Sequence, residues 1–177
     1  TGDGELQEGQ IWESLMGATN AGMHELTVIV DHNKIQSDHW VSSTSDLGRL
    51  DERFKSFGWN VLRCDGHDTG QFSLAVKETD TSDKPSVIIA DIIKGFGVSY
   101  LQPTALGDRD FYQFHSGALS QDNYAQAIEE LCESANKQLK NSGSLPLNLE
   151  TYEHEASSSL SPRENLIPAY SEALLKG

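Results

Sequence analysis

Apolar positions change period along the chain, and the changes mark the elements. Ile11, Leu15 and Ala18, with Met16 and Thr19 beside them, recur at helical spacing from Ile11 to Ala21, and Gly22 is placed to close that helix. Leu26–Val30 predicts a short strand buried on both faces, as parallel strands are, ending at Asp31, His32 and Asn33. Asp46 is placed to cap a helix over Leu47–Phe57 that Gly58 closes. Trp59–Cys64 predicts a second strand, Asp65–Asp68 a turn, and Phe72–Glu78 a helix. Pro85 opens a third strand, Ser86–Ile93, rich in Val and Ile. Strands alternating with helices imply an α/β fold: a parallel sheet with flanking helices and right-handed crossovers.

From Lys94 to Ser120 no strong period is present, and loops of that length usually carry function. Gln121–Leu139 is an amphipathic helix with Tyr124, Ile128, Leu131, Ala135 and Leu139 on one stripe. Asn141–Pro162, rich in Ser, Glu and Pro, reads as a linker, and Glu164–Lys176 as the beginning of another helix. The opening Thr1-Gly2-Asp3-Gly4 is a turn of the kind that follows a buried strand, so by itself it reads equally as part of a longer protein or as a trimmed N-terminus.

Charge narrows the ligand class. The 177 residues carry 13 Lys+Arg against 27 Asp+Glu, a net charge of −14. Such a chain is a poor electrostatic match for nucleic acid or an anionic membrane, and no apolar run approaches the roughly 20 residues of a membrane span. A phosphate ligand has to be held by backbone N–H groups and a metal cation rather than by a basic patch. Two cysteines, Cys64 and Cys132, are too few for a disulfide framework and suit the cytoplasm.

The informative pair is Gly2-Asp3-Gly4 and Asn33, with 28 residues, Glu5 to His32, between them. One helix and one strand fill that interval. In a parallel sheet both ends then lie at the carboxyl edge of neighbouring strands, where ligands bind. Asp3 offers a carboxylate, Asn33 an amide carbonyl, and a residue just past it, such as Ile35, a backbone carbonyl. Hard oxygen ligands suit Mg²⁺ or Ca²⁺, and Mg²⁺ completes its octahedron with phosphate oxygens and water. Gly2 and Gly4 let the backbone approach a diphosphate closely. By itself the triplet also fits a surface turn beside an unrelated Asn. A phosphatase-type Mg²⁺ loop is disfavoured, because Leu6-Gln7-Glu8-Gly9 stands where that pattern wants Asn-Asp.

The run Gly2-Asp3-Gly4-Glu5-Leu6-Gln7-Glu8-Gly9, then Trp12-Glu13, then Ile29 through Gln36, resembles the thiamine-diphosphate motif of transketolases. The resemblance continues in family order through Phe57–Val61, Asp65-Gly66-His67-Asp68, Lys94–Ser99 and Phe114–Ala118, and covers about Thr1–Leu139. It implies an incomplete thiamine-diphosphate-binding fold without its N-terminal part. Residues 1–140 would be the C-terminal half of the diphosphate-binding domain, 141–162 the linker, and 163–177 the start of the pyrimidine-binding domain.

By resemblance, Asp3 and Asn33 match the side-chain metal ligands and Ile35 the backbone-carbonyl ligand. Gly4 matches the glycine whose N–H meets the diphosphate, with Gly2 and Glu5 beside it at the cofactor. His115 matches a histidine that reaches cofactor and substrate and serves proton transfer. Glu8 matches a glutamate in an acidic network linking active sites across a homodimer; by itself it is also a helix-start acid favoured by the dipole. The implied activity is Mg²⁺-dependent two-carbon ketol transfer between sugar phosphates, with the chain inactive alone because the activating glutamate belongs to the pyrimidine domain. The chain departs from the family at Phe96, where Lys-Gly-Lys-Gly is common, at Phe114, where Trp or Val stands, and at Leu119, where Pro is frequent. Those departures touch the substrate mouth. His67 reads as a turn residue. His24, His39 and His154 show no ligand spacing, and Cys64, Cys132, Trp12 and Trp59 read as packing residues. Other readings are a related thiamine enzyme (a 2-oxo-acid dehydrogenase E1 component or a deoxyxylulose-phosphate synthase), a non-catalytic diphosphate-binding module or split subunit, and an acidic α/β domain without a ligand.

Overall fold

The computed structural model describes residues 1–107 and 110–150. The expected helix over Glu164–Lys176, His154 and most of the expected linker lie outside the described residues. Residues 1–145 form one compact unit. Residues 146–177 separate as a second, whose described part, 146–150, carries no helix or strand.

After a 3-10 turn over Gly4–Gln7 come α1 (Gly9–Asn20), β1 (Thr27–His32), a tight hairpin of β2 (Ile35–Gln36) and β3 (His39–Trp40), and α2 (Val41–Ser45). Then follow α3 (Leu50–Ser56), β4 (Asn60–Asp65), α4 (Thr69–Thr79), β5 (Ser86–Asp91) and α5 (Gln121–Asn141). The expected alternation holds. The three long strands are parallel in the order β1-β5-β4, so β5 fills the place that the crossover from β1 to β4 leaves between them. The chain start lies along the other edge of β1: Gly2 pairs parallel to Asp31, the Asp31 N–H donates to Thr1 O, and the Asp3 N–H to Asp31 O.

Register decides burial. Val28, Val30, Val87 and Ile89 share the sheet face covered by α1 and α3. There Leu6, Leu15, Ala18, Leu47, Leu50, Phe54 and Trp59 complete the core, and Trp12 packs against its edge. The opposite face is covered by α4, which packs on β4 and β5. The expectation that Leu26–Val30 is buried on both faces is therefore corrected: Val30 is fully buried but Ile29 is exposed, and Leu26 lies outside the strand. The strand with both faces covered is β5, because it is central.

Three further differences have local causes. Asp46 does not cap α3: its Oδ1 accepts from the Gly48 N–H, and the helix begins at Leu50 behind Arg49. Helix α4 starts earlier than expected, because Asp68 accepts from the N–H groups of Gly70 and Gln71. Helix α5 forms, yet Tyr124, Ile128 and Leu131 of its apolar stripe remain exposed, and Ala127 is its buried residue. The loop before it holds it instead: Ser99 donates through N–H and hydroxyl to Glu130, and the Tyr100 hydroxyl to Asn123 O.

The carboxyl ends of the strands are tied by charge. Arg63 on β4 grips Asp91 on β5 with two bonds of 2.6 and 2.8 Å, and His32 on β1 meets the same carboxylate at 2.7 Å. The guanidinium, and then His32, hold the Asp91 carboxyl down at about 2, below its ordinary 3.8. A carboxyl depressed on folding stabilises above its unfolded value and loses that contribution as pH falls through the folded one. Asp91 is a third exposed, so solvent screening trims the effect to about 1 kcal/mol. Urea unfolding of Asp91→Asn should show that deficit at pH 7, and the gap to the parent should close as pH falls from about 4 toward 2. A gap constant across that window would refute the assignment.

Candidate functional site

Two loops at the carboxyl edge build the site. The first, Gly2-Asp3-Gly4, leaves the edge pairing with β1 and turns at once into the 3-10 helix, with Asp3 capping it. Asp3 is 1% exposed, and a carboxylate buried that deeply depends on its partners. Its Oδ1 accepts from the Gly4 N–H at 2.9 Å, and its Oδ2 from the Lys34 N–H at 2.6 Å. Burial pushes the Asp3 carboxyl up from its ordinary value, while the Lys34 amide, His32 and the Gly4 amide pull it down.

The second loop follows β1. Asn33 accepts from the Ile35 N–H at 2.8 Å and donates to Asp31 at 2.7 Å. Lys34, between them, has φ 70°, and Ser37, in the hairpin turn, has φ 53°. Left-handed backbone at two non-glycine residues is a concentration of strain, of the sort that clusters at binding sites. Gly4 sits against this hairpin. A Cβ there would lie 2.9 Å from Gln36 Cβ and 3.1 Å from its Cγ, so only glycine fits beneath that side chain.

Across the opening, the loop after β5 brings Lys94 and His115. The Lys94 ammonium lies 3.2 Å from His115 Nδ1 and 5.3 Å from the Tyr112 ring. An ammonium can only donate, so this contact makes Nδ1 the acceptor and leaves the ring proton on Nε2. The turn that presents Lys94 is pinned by His67, which accepts the Ile93 N–H on Nε2 at 2.7 Å and stacks on Phe96 at 3.7 Å. His67 is thus a fastening between two strand ends, more than the turn residue that its sequence suggests.

All the residues singled out from sequence, Gly2, Asp3, Gly4, Glu5, Glu8, Asn33, Ile35 and His115, line one open cleft of about 510 Å³. Asp3 and Ile35 are buried in its wall, whereas Glu5, Glu8 and His115 are exposed. Glu5 is held below its ordinary pKa by the Gly2 amide and the Thr1 hydroxyl. Glu8 precedes α1 but makes no side-chain cap bond, so helix capping does not explain it. Gln36, Ser37 and Lys94 also line the cleft and are not singled out by sequence reasoning. Lys94 and Gln36 stand at the ends of sequence motifs, and that position is the signal that could have found them.

The donor chemistry is that of hard oxygen. Each Asp3 oxygen accepts one N–H and keeps a further lone pair, and Asn33 and Ile35 add amide and backbone oxygens. Among the described residues no group of three or more His, Cys, Asp and Glu side chains is gathered for a metal. A cation in this cleft would therefore draw part of its shell from a ligand's oxygens and water, which is the habit of Mg²⁺ beside a diphosphate.

Residues 1–159 match the family model described as transketolase, thiamine diphosphate binding domain. The chain belongs to the transketolase family. It is 34% identical over 131 residues to a 6-deoxy-6-sulfo-D-fructose transketolase subunit of Clostridium sp., covering 73% of this chain and 45% of the relative. It is 30% identical over 137 residues to an apulose-4-phosphate transketolase subunit of Phocaeicola vulgatus, covering 77% and 46%. The crystal structure of transketolase from Campylobacter jejuni superposes with a TM-score of 0.62 at 26% identity, over 73% of this chain and 19% of that one. This transketolase-family chain thus spans less than half the length of these relatives. Its matched region holds the whole cleft, and none of its described helices is long and apolar enough to cross a membrane.

Proposed function

We propose that the chain is the diphosphate-holding part of a Mg²⁺-dependent transketolase that moves a two-carbon ketol unit from a ketose phosphate to an aldose phosphate. The observation that carries this reading is the convergence of Asp3, Gly4, Asn33, Ile35 and His115 on one cleft faced by Lys94. When bound, thiamine diphosphate supplies a nucleophilic carbon and an electron sink for breaking the ketose carbon–carbon bond. Asp3 and Asn33 through side-chain oxygens, and Ile35 through its carbonyl, are the groups to hold Mg²⁺ (or Ca²⁺). Gly2, Gly4 and Glu5 line the part of the cleft that would hold the diphosphate, and Lys94 would offset its anionic charge in a chain that is otherwise strongly acidic. His115, its Nδ1 engaged by Lys94, has Nε2–H with which to orient or protonate a substrate oxygen. Glu8 is exposed and free of capping, which suits a contact across a homodimer interface. Cys64 and Cys132 are free thiols, in keeping with a reducing cytoplasm.

The chain alone is inactive on this reading, because ketol transfer also needs the part of the relatives' length that it does not span. The remainder comes either from the same polypeptide or from a partner chain. The partner-chain arrangement gains from two relatives being named as subunits. A 2-oxo-acid dehydrogenase E1 component and a deoxyxylulose-phosphate synthase share the metal-site logic, and the names of these relatives favour ketol transfer over both. A diphosphate-binding module without catalysis is the remaining rival.

Calorimetric titration of thiamine diphosphate should show binding that requires Mg²⁺. A folded chain that binds nothing, or binds equally without the metal, overturns the reading. Ketol transfer by the 177-residue chain alone would overturn the division of labour.

A further inference from the structure

A second pocket, of about 380 Å³, lies where the carboxyl ends of β1 and β4 meet the start of α3, and it shares no lining residue with the cleft. Leu50 and Val61 give it apolar surface, and Arg49, Lys55 and Arg63 give it charge. Three of the chain's 13 Lys+Arg thus meet at one place in a molecule of net charge −14. The overall charge gives no sign of such a basic patch; the topology assembles it. Val61 and Arg63, two apart on β4, point to the sheet face that α3 covers. Asp51 and Lys55, four apart on α3, share one side of that helix. Asp51 is the one carboxylate among the lining residues. It pairs with Arg49 at 3.3 Å, Lys55 favours its charged form, and it in turn favours that of Arg63. One carboxylate set among three cations leaves the pocket positive.

The uncommitted donors narrow the ligand. Arg49 is held by Asp51 and Glu52. Arg63 uses Nε and Nη2 on Asp91, with His32 Nδ1 a further 3.3 Å from Nη2. Its Nη1 carries two N–H groups and has no partner among the described residues, and the Lys55 ammonium, with three, has none either. Guanidinium and ammonium groups only donate, so what they take is an acceptor, and an anion above all. We propose that this pocket binds a phosphate dianion, free or as a monoester of a small organic alcohol, between Arg63 Nη1 and the Lys55 ammonium. Phosphate presents acceptor oxygens to both groups at once, and Leu50 and Val61 offer carbon surface to the organic part of an ester. Asp91 grips the other edge of the guanidinium, so Arg63 is oriented before the ligand arrives, which lowers the cost of ordering it. Neither a metal nor a residue of the cleft takes part, so the site stands apart from the diphosphate reading.

The test titrates sodium phosphate and glycerol phosphate into the chain in EDTA, at constant ionic strength and about pH 8, where a phosphomonoester is a dianion. Lys55→Gln and Lys55→Arg are run beside the parent, and each protein is melted without ligand. The expected result is binding on the order of 1 mM that Lys55→Gln weakens about tenfold, as for loss of one hydrogen bond to a charged group, and that Lys55→Arg largely keeps. Free Lys55→Gln should melt with the parent, because the exposed ammonium has no partner to lose. Equal affinity for the two ligands supports recognition of the phosphate group alone, and tighter binding of the ester supports a phosphorylated organic molecule. A parent that binds neither ligand overturns the site, and so does a Lys55→Gln chain that binds as the parent does. Weaker binding together with a lower melting temperature assigns Lys55 to folding and also overturns it. A rise in melting temperature that sodium chloride matches at equal ionic strength is general screening of an acidic chain, and it too overturns the site.

Discussion

Asp3→Ala should abolish Mg²⁺-dependent binding of thiamine diphosphate, weakening it by on the order of 100-fold or more, equivalent to about 3 kcal/mol. The size follows from what the side chain does. It is the single carboxylate among the proposed metal ligands, it is 1% exposed, and it joins the two loops of the site through the Gly4 and Lys34 amides. Removing it takes away a metal ligand and leaves two N–H groups without an acceptor, so stability falls too, by about 1–3 kcal/mol. Asn33→Ala separates the two effects. Its oxygen accepts one local N–H, so its loss should weaken the metal-dependent binding with a smaller change in melting temperature. Titration with and without Mg²⁺, beside melts of both variants, gives the comparison. Undiminished metal-dependent binding by a folded Asp3→Ala chain would remove Asp3 from the site.

The largest loss of stability should come from Phe54→Ala. Phe54 is fully buried on α3, 5.3 Å from the Trp12 ring and 6.3 Å from that of Trp59. It bridges the helix layer to β4, and no smaller side chain can hold both indoles apart. Truncation should cost about 3–5 kcal/mol. That is a large share of the roughly 5–15 kcal/mol that keeps a domain folded. Urea unfolding followed by tryptophan fluorescence reads it directly. A loss below about 1 kcal/mol would mean that the α3 layer is loosely packed.

Much of the fold is legible in the chain because its signals are local. The apolar run Val87–Ala90 reads as a buried strand, and Gly58 as a helix stop, from a few adjacent residues. Most of the candidate site was legible for a similar reason: Asp3, Gly4, Asn33 and Ile35, which line one cleft, lie in short motifs whose spacing, one helix and one strand apart, needs only the βαβ rule to bring them together. The sequence by itself determined the element types, the acidic surface and the membership of Gly2-Asp3-Gly4, Glu8, Asn33 and His115 in one motif set.

Tertiary structure decided what depends on neighbours far along the chain. It placed β5 between β1 and β4, and so determined that Ile88 is buried while Ile29, on the same face one strand over, is exposed. It denied Asp46 its capping role, since α3 starts only at Leu50, where the side chain meets the core. It joined Lys94 to His115 across 21 residues, and His67 to Ile93 across 26. It set the Gln36 stem on Gly4 and left that side chain's amide oxygen without a partner among the described residues. The physical reason is the same in each case. Propensity and periodicity act over one or two turns of chain, whereas burial, charge pairing and hydrogen-bond satisfaction are properties of the space that distant segments share.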